Sequence, residues 1–434
     1  MQYISLKDTK KTTKTTFKDA VIRGLSKDGG LFFPENIAPL PQVFFDNIAS
    51  YSNEEIAFQA IKQFVGNEIP EAVLKQIISE TINFDFPTVK INENTYSLEL
   101  YHGPTLAFKD VGARFMARCL AYFNKNNTEQ VTVLVATSGD TGSAVANGFL
   151  GVKGVDVVIL YPKDKVSEIQ EKQLTTLRQN IIALEIDGVF DDCQALVKQA
   201  FNDTDIIKVR KLTSANSINI ARWLPQMFYF FFAYKQLKSL NKELVISVPS
   251  GNFGNICAGL LAQKLGLPIK KFVAATNSND TVPNYLLTNE YKPKPTIQTI
   301  SNAMDVSDPS NFVRILALFN GKIPADKLSA YSFTDTATKK QLLNTYVTEK
   351  YLLDPHGAVA YLGLTKELEK HNNALGVLLE TAHPVKFIDT VQAIINEEIS
   401  IPKSLNSLLE KEKKAIAMAN NYQVFKDYLI RTKK

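Results

Sequence analysis

The chain of 434 residues is long enough for two or three domains and a large core, so it needs no disulfide or metal to fold. Its net charge of +5, from 49 basic and 44 acidic residues, is too small to indicate a nucleic acid or a membrane as partner. Three widely spaced cysteines, and four histidines without CxxC or HxxxH spacing, predict free thiols and no metal site.

The first ninety or so residues have the pattern of helices joined by irregular stretches. The N-terminus is polar and lacks the apolar stretch of a signal peptide, so we expect a cytoplasmic protein. Residues 53–65 and 70–82 carry apolar side chains at helical spacing, which predicts two helices. The longest apolar segment, residues 227–234, is far too short to span a bilayer and predicts a buried helix.

From residue 130 onward, short apolar runs alternate with helical patterns. The predicted strands cover residues 130–137, 155–161, 181–186, 243–248, 271–276 and 374–381. The predicted helices begin near Ser143 and cover residues 166–180, 191–201 and 256–265. This alternation is typical of parallel sheets that are covered by helices on both faces. We predict an N-terminal, mainly helical domain of residues 1–90, a large α/β domain of residues 91–120 and 241–434, and a small α/β domain of residues 121–240.

Two turns after predicted strands carry clusters of small and polar residues, where ligands of parallel sheets bind. The first turn, residues 137–142 (TSGDTG), has three hydroxyls and two glycines at a helix start, which favours a carboxylate or phosphate. Helix capping alone would need only one such residue. The second turn, residues 250–255 (SGNFGN), has the glycines of a phosphate site but matches neither the P-loop nor GxGxxG, so an ordinary turn remains an alternative.

The third turn, residues 381–384 (TAHP), follows the last predicted strand. Its Thr381 hydroxyl would point into the same crevice, although a helix cap explains the residue equally well.

Lys109 stands in an apolar context, because Leu106, Ala107 and Phe108 precede it. Apolar surroundings disfavour the charged form of a lysine and make its amine nucleophilic. Most lysines are solvated surface residues, but two anion-binding turns accompany this one. A phosphorylated aldehyde cofactor needs this combination of a Schiff-base lysine and a phosphate cup.

Six ordered motifs resemble those of the threonine synthase family. They are HGPTLAFKD (102–110), TSGDTG (137–142), NSINIAR (216–222), PSGNFGN (249–255), SNAMD (301–305) and TAHP (381–384). DGGLFFPE (28–35) is also similar, and the extended N-terminal region resembles the longer bacterial and fungal branch. The resemblance implies a tryptophan synthase β-subunit-like α/β fold (fold type II) and pyridoxal 5'-phosphate as cofactor.

The resemblance also assigns roles to individual residues. It implies that Lys109 carries the cofactor as a Schiff base and that Thr381 hydrogen-bonds the pyridine nitrogen. The implied cup for the cofactor phosphate is Gly251, Asn252, Phe253, Gly254 and Asn255. Ser138 and Thr141 would bind the substrate carboxylate. The implied site for the substrate phosphate is Asn216, Ser217, Asn219 and Arg222. Asp140 would be repelled by the cofactor's phenolate, so we expect it to turn away.

The implied reaction converts O-phospho-L-homoserine and water into L-threonine and phosphate, the last step of threonine biosynthesis. The enzyme would be a monomer or a homodimer. A threonine or serine dehydratase of the same cofactor class is the main alternative, but its substrate carries no phosphate and would not need residues 216–222. A non-catalytic nucleotide-binding protein would explain the glycine turns but not Lys109.

Overall fold

The computed structural model describes residues 1–125, 130–371 and 373–432. The strands in these ranges are β1 (Tyr3–Ser5), β2 (Lys14–Thr15), β3 (Phe32–Pro34), β4 (Thr88–Lys90), β5 (Thr95–Glu99), β6 (Val131–Ala136), β7 (Val155–Pro162), β8 (Ile181–Asp187), β9 (Lys211–Ser214), β10 (Leu244–Pro249), β11 (Lys271–Thr276), β12 (Leu328–Ser332), β13 (Leu375–Glu380) and β14 (Ile416–Ala419).

The α-helices in the same ranges are α1 (Phe17–Arg23), α2 (Gln42–Asp46), α3 (Asn53–Val65), α4 (Glu71–Thr81), α5 (Lys109–Asn124), α6 (Asp140–Phe149), α7 (Glu168–Thr175), α8 (Phe190–Asn202), α9 (Thr204–Val209), α10 (Ile220–Trp223), α11 (Phe228–Leu237), α12 (Gly254–Lys264), α13 (Thr281–Thr288), α14 (Phe312–Leu318), α15 (Asp335–Asn344), α16 (Pro355–Leu368), α17 (Ile388–Ile395), α18 (Lys403–Leu409) and α19 (Tyr422–Arg431). Short 3-10 helices lie at Ile48–Ser50, Gly66–Glu68, Leu224–Met227, Lys238–Leu240, Asn302–Met304 and Pro384–Phe387, and a π-helical turn at Thr345–Glu349.

The strands form three sheets. The large sheet has the order β12-β11-β10-β13-β5-β4, and all its neighbours are parallel except the edge pair β4 and β5. The small sheet, β14-β8-β7-β6-β9, is parallel throughout. A three-stranded antiparallel sheet, β2-β1-β3, accompanies the helices of the N-terminal region. The predicted fold class, two parallel-sheet units behind a helical N-terminal region, is confirmed.

Local sequence explains why many elements form where they do. Every residue of β6, β10 and β13 is buried, as expected for parallel strands that are covered on both faces. Helix α3 begins with a capping box, in which Ser52 and Glu55 satisfy each other's backbone N–H groups. The apolar segment that was predicted to be a buried helix forms α11 and the 3-10 turn before it. No α-helix in the described ranges is long and apolar enough to cross a bilayer.

Two sequence-based expectations differ from the structure. The helix predicted over residues 166–180 is shorter and spans only Glu168–Thr175, with Ser167 as its cap. Strand β14 pairs with β8 in the small sheet, although residues 241–434 were expected to belong to the large domain. Helix α19 follows β14 and packs on α8 and α9. The last segment of the chain therefore returns to the small sheet.

Candidate active site

Lys109 is the first residue of α5, and the segment before it is held against the third turn. The N–H of Phe108 donates to the carbonyl of Thr381 at 2.8 Å. The N–H of His383 donates to the carbonyl of Leu106 at 3.0 Å. These bonds bring together two of the predicted site segments, so Lys109 and Thr381 lie at the same end of the large sheet.

The amine of Lys109 has an environment that favours its neutral form. The residue is half-buried, and its pKa is lowered to about 8, mainly by the loss of solvation. The carboxylate of Asp140 opposes this shift, whereas the cations of Lys386 and Arg222 add to it. A neutral amine is nucleophilic and can also accept a proton.

The second turn connects β10 to α12 and leaves no room for larger side chains. A Cβ atom on Gly251 would lie 2.6 Å from Cα of Met304 and 3.0 Å from the carbonyl oxygen of Ala303. Phe253 has left-handed backbone torsions, with φ of 59°, and leads directly into the helix at Gly254. The first N–H groups of an α-helix have no partner within the helix, so this end is suited to an anion.

The second turn touches the turn that was predicted to bind the substrate phosphate. The side-chain amide of Asn252 donates to Oγ of Ser217 at 2.7 Å, and its oxygen accepts from the N–H of Ser310 at 2.6 Å. The side-chain amide of Asn311 also donates to Oγ of Ser217, at 3.1 Å. The two predicted phosphate sites are therefore neighbours. The Asn252 side chain is engaged inside the protein, so only its backbone N–H is left for the predicted contact with an anion.

Asn219 does not have the free side chain that its predicted substrate contact requires. It is fully buried and caps α10, where its oxygen accepts from the N–H of Ala221 at 3.0 Å. Its amide nitrogen donates to the carbonyls of Val21 at 2.8 Å and Ser214 at 3.2 Å. The Asn219 side chain thus positions neighbouring backbone, and its contact with substrate stays a prediction that these bonds do not favour.

Arg222 is a buried cation with an unused donor. One of its nitrogens donates to the carbonyl of Ala215, but no acceptor for Nε is found among the described residues. Burial lowers its pKa to about 10, so the guanidinium stays charged at neutral pH. A Cβ atom on Gly112 of α5 would lie 3.0 Å from Nε, so the glycine lets Arg222 pack on the helix that begins at Lys109. Asn216, by contrast, is half-buried in the preceding turn.

The first turn keeps two hydroxyls available for a ligand. Thr137 closes the turn, because its Oγ1 accepts from the N–H groups of Gly139 at 3.0 Å and Gly142 at 2.8 Å. Ser138 and Thr141 are half-buried, and their hydroxyls have no hydrogen-bond partner in the described part of the chain. Two hydroxyl groups at the start of a ten-residue helix suit a carboxylate.

Asp140 turns toward a lysine from the other end of the chain. Its carboxylate lies 2.7 Å from Nζ of Lys386, and both side chains are almost fully buried. It also accepts from the amide of Gln170 at 2.9 Å, while Lys386 donates to the carbonyl of Thr105 at 2.8 Å. The lysine holds the pKa of Asp140 far below its usual range. A cleft of about 370 Å³ is lined by both Gln170 and Lys386.

The histidines near the site have structural partners, so none needs a role in the chemistry. His356 lies 3.1 Å from Asp354 and accepts from the N–H of Ala303 at 3.2 Å. His383 accepts from the N–H of Val385 at 3.1 Å, and burial lowers its pKa to about 4. His102 is 2.8 Å from a carboxylate oxygen of Glu99.

Sequence reasoning missed three residues that the structure brings to the site: Asn311, Arg314 and Lys386. Lys386 lies two residues beyond the third turn, a position that could have been examined because it follows a candidate site segment. Asn311 and Arg314 follow the SNAMD motif after a short loop, and only their long-range contacts reveal them.

Comparisons with known proteins agree with this geometry. Residues 87–379 match the family model "Pyridoxal-phosphate dependent enzyme", residues 2–82 match "Threonine synthase N terminus", and residues 357–429 match "Threonine synthase, C-terminal". A threonine synthase of Serratia marcescens is 45% identical, and the alignment covers 93% of each chain.

Solved structures with similar folds also include threonine synthases. The Escherichia coli structure is 42% identical and has a TM-score of 0.93, with 99% of this chain and 100% of that chain covered. A structure titled as the pyridoxal-phosphate-bound enzyme of Brucella melitensis is 33% identical, has a TM-score of 0.92 and covers all of both chains.

The fold and the site define a pyridoxal-phosphate-dependent enzyme of fold type II, and the cofactor predicted from the sequence is confirmed. The residues of the site fit pyridoxal phosphate: Lys109 offers an amine with lowered pKa, and Gly251 leaves a space that a Cβ atom would fill. The matches at both ends of the chain go further. The chain belongs to the threonine synthase family, as its motifs had indicated.

Proposed function

We propose that the protein converts O-phospho-L-homoserine and water into L-threonine and phosphate. The observation that carries this proposal is the presence of two anion receptors beside one lysine. Ser138 and Thr141, at a helix start, present hydroxyls that have no partner among the described residues. Arg222 has a buried Nε for which the described residues supply no acceptor. An amino acid that carries both a carboxylate and a phosphate complements this pair of receptors.

Pyridoxal phosphate, when bound, withdraws electrons from the substrate's α-carbon and so makes its proton acidic. Gly251 and the backbone N–H groups of the second turn would hold the cofactor's phosphate, together with Asn252, Phe253, Gly254 and Asn255. Thr381 would donate a hydrogen bond from its hydroxyl to the pyridine nitrogen. A neutral hydroxyl at that position, unlike a carboxylate, would leave the nitrogen largely unprotonated.

Lys109 would move the protons of the reaction. Its amine removes the α-proton and one β-proton, and the bond between the γ-carbon and the phosphate oxygen breaks. The two protons return to the γ-carbon and the α-carbon. Water adds its hydroxyl at the β-carbon, and its other proton goes to the released phosphate. The γ-carbon thereby becomes the methyl group of threonine, and the β-carbon gains the hydroxyl. A pKa near 8 suits a group that must both accept and donate protons.

The substrate would be oriented by its two charged ends. Ser138 and Thr141 would bind the carboxylate, and Arg222 would bind the phosphate with support from Asn216 and the turn at Ser217. The buried pair of Asp140 and Lys386 links the first turn to residues just after the third turn, and so would hold the two sides of the site together. Such a closed arrangement keeps water away from reactive carbon centres.

The direct test is to follow both products from O-phospho-L-homoserine. We expect equal amounts of threonine and inorganic phosphate, and a loss of turnover of about 10³-fold or more for Lys109→Ala. A purified enzyme that ignores this substrate but forms a keto acid and ammonia from threonine would instead be a dehydratase-like lyase. That outcome would contradict the proposed reaction.

A cytoplasmic location and a monomeric or homodimeric state belong to the same proposal. The location is supported by the cysteines Cys119, Cys193 and Cys257, which are free and buried as thiols in a reducing compartment can be. Gel filtration with light scattering will test the oligomeric state, and a tetramer or larger assembly would contradict it.

A further inference from the structure

Arg314 is a fully buried arginine on α14 that has no carboxylate partner among the described residues. Its guanidinium makes five hydrogen bonds, all to uncharged oxygens. Two go to the carbonyl of Phe32, at 3.0 and 3.2 Å, and one each goes to the carbonyls of Ser217 at 3.1 Å and Ile218 at 2.6 Å. The fifth goes to Oδ1 of Asn311 at 2.7 Å.

These acceptors connect the turns that bind phosphate in the proposed function. Asn311, which Arg314 holds through its oxygen, uses its amide nitrogen to reach Oγ of Ser217 at 3.1 Å and the carbonyl of Asn252 at 3.0 Å. One guanidinium thus fixes the backbone and, through Asn311, the side chain of Ser217. The Phe32 carbonyl attaches the N-terminal region to the same point.

The charge of Arg314 is not neutralised within the described protein. Burial lowers its pKa to about 10, which leaves it protonated at neutral pH. The guanidinium lies 4.4 Å from the centre of the Trp223 ring, a favourable but partial compensation. A buried cation without a charged partner raises the electrostatic potential around it, and an anion bound nearby is stabilised.

We propose that Arg314 is a positioning residue for the substrate phosphate, and this rests on the proposed function. Arg314 orders the turn at Ser217 and Ile218 and supplies a fixed positive charge behind it. Arg222, on the same turn's C-terminal side, makes the direct contact. In this proposal Arg222 contacts the phosphate, and Arg314 positions the turn that binds it.

The test compares ligands with and without a phosphate on the holoenzyme of two variants. Arg314→Met removes both the positive charge and the hydrogen bonds of the guanidinium, whereas Arg314→Lys keeps only the charge. We expect Arg314→Met to raise the KM for O-phospho-L-homoserine roughly 10- to 100-fold, the range for hydrogen bonds to a charged group. The dissociation constant of L-homoserine, read from the change in cofactor absorbance, should change by no more than about twofold, and Arg314→Lys should restore part of the KM.

Arg210 offers a matched control because it is also buried and bonds neutral oxygens. Its nitrogens reach the carbonyl of Leu429 at 2.5 Å and the hydroxyls of Thr132 and Thr432, each at 3.0 Å, in the small sheet and α19. Arg210→Met should lower the melting temperature without changing the preference for the phosphorylated ligand. If Arg314→Met does not fold, Asn311→Ala supplies the same comparison, since it cuts the link between Arg314 and Oγ of Ser217.

The outcomes separate this inference from the proposed function. A wild-type enzyme that releases no phosphate from O-phospho-L-homoserine refutes the proposed function before any variant is needed. If the wild type is active, three outcomes would overturn the role of Arg314. They are an equal loss of affinity for both ligands, a selective loss of pyridoxal phosphate, and the same change in selectivity in Arg210→Met. Only a loss that is confined to the phosphorylated ligand supports it.

Discussion

The first and second turns both follow a buried parallel strand and both begin a helix, yet they prepare an anion site in different ways. In the first turn, the described residues supply no partner for the hydroxyls of Ser138 and Thr141, while the hydroxyl of Thr137 closes the turn. In the second turn, the side chain of Asn252 donates to Ser217 inside the protein. Gly251 packs so closely on the backbone of Met304 that a Cβ atom would not fit. One turn offers side chains and the other offers a rigid backbone.

This difference matches the roles that we propose for the two turns, the first for substrate and the second for the cofactor phosphate. A cofactor phosphate stays bound through many turnovers, so a fixed backbone cradle is sufficient. A substrate must enter and leave, and hydroxyl groups that rotate can follow it. The first turn also depends on a distant ion pair between Asp140 and Lys386, whereas the second is held by neighbours such as Ser310 and Asn311.

The largest effect on stability should come from breaking the ion pair behind the first turn. Asp140→Asn leaves Lys386 as a buried cation without its partner, which should lower the free energy of unfolding by about 3–5 kcal/mol. Glu243→Gln is the control, since its pair with Lys270 is exposed and should be worth no more than about 1 kcal/mol. Urea titration measures both, and equal effects would show that the ion pair of Asp140 and Lys386 does not stabilise the fold.

The second turn should bind pyridoxal phosphate less tightly when a single methyl group is added to Gly251. Gly251→Ala places Cβ 2.6 Å from a backbone carbon of Met304, and overpacking of this kind costs about 1–3 kcal/mol. The affinity for pyridoxal phosphate should fall by roughly 5- to 100-fold, measured by absorbance titration of the cofactor-free protein. Gly254→Ala should do less, since its nearest contact is the Ser217 side chain at 3.2 Å. Equal losses would contradict a backbone cradle at Gly251.

Substitutions of the hydroxyl residues Ser138 and Thr141 in the first turn should weaken substrate binding without lowering stability. Removing one free hydroxyl, in Ser138→Ala or Thr141→Val, should raise the KM for substrate roughly tenfold, because each is expected to donate to a carboxylate. Thr137→Val should act differently: it removes the hydroxyl that closes the turn and should lower the melting temperature. Steady-state kinetics and thermal melts together distinguish the two classes, and a stability loss in all three variants would erase the distinction.

The last prediction concerns the pH dependence of cofactor capture. Because burial lowers the pKa of Lys109 to about 8, the neutral fraction of its amine increases as pH rises toward that value. The rate at which cofactor-free protein captures pyridoxal phosphate should increase about tenfold per unit below pH 8 and level off above it. Stopped-flow absorbance across pH 6–10 measures the rate. A rate that still climbs at pH 10 would indicate an ordinary lysine.

Much of the fold and of the candidate site follows from local sequence. Six strands after residue 130 (β6, β7, β8, β10, β11 and β13) were predicted from continuous apolar runs, and the turns after three of them were predicted from clusters of small and polar residues. Strands β9, β12 and β14 were not predicted. These features are encoded by neighbouring residues, so periodicity and turn chemistry are sufficient to find them. The pattern also placed Lys109 in an apolar context, where the structure lowers its pKa.

Other features depend on contacts between distant segments and left no local signal. Asp140 was expected to turn away from the cofactor, but its partner Lys386 could not be named. Asn219 belongs to a family motif, yet its side chain caps α10 and donates a hydrogen bond to the carbonyl of Val21. Strand β14 is only four residues long, and its pairing with the small sheet became visible only in three dimensions.

The central claim is that the amine of Lys109, whose pKa is influenced by Asp140 and Arg222, is the group that holds the cofactor. Borohydride reduction of the holoenzyme, followed by peptide mass spectrometry, tests this most directly. The account predicts one modified peptide, with the pyridoxyl group on Lys109. Modification of Lys386, the other buried lysine of the site, or no modified peptide at all, would contradict it.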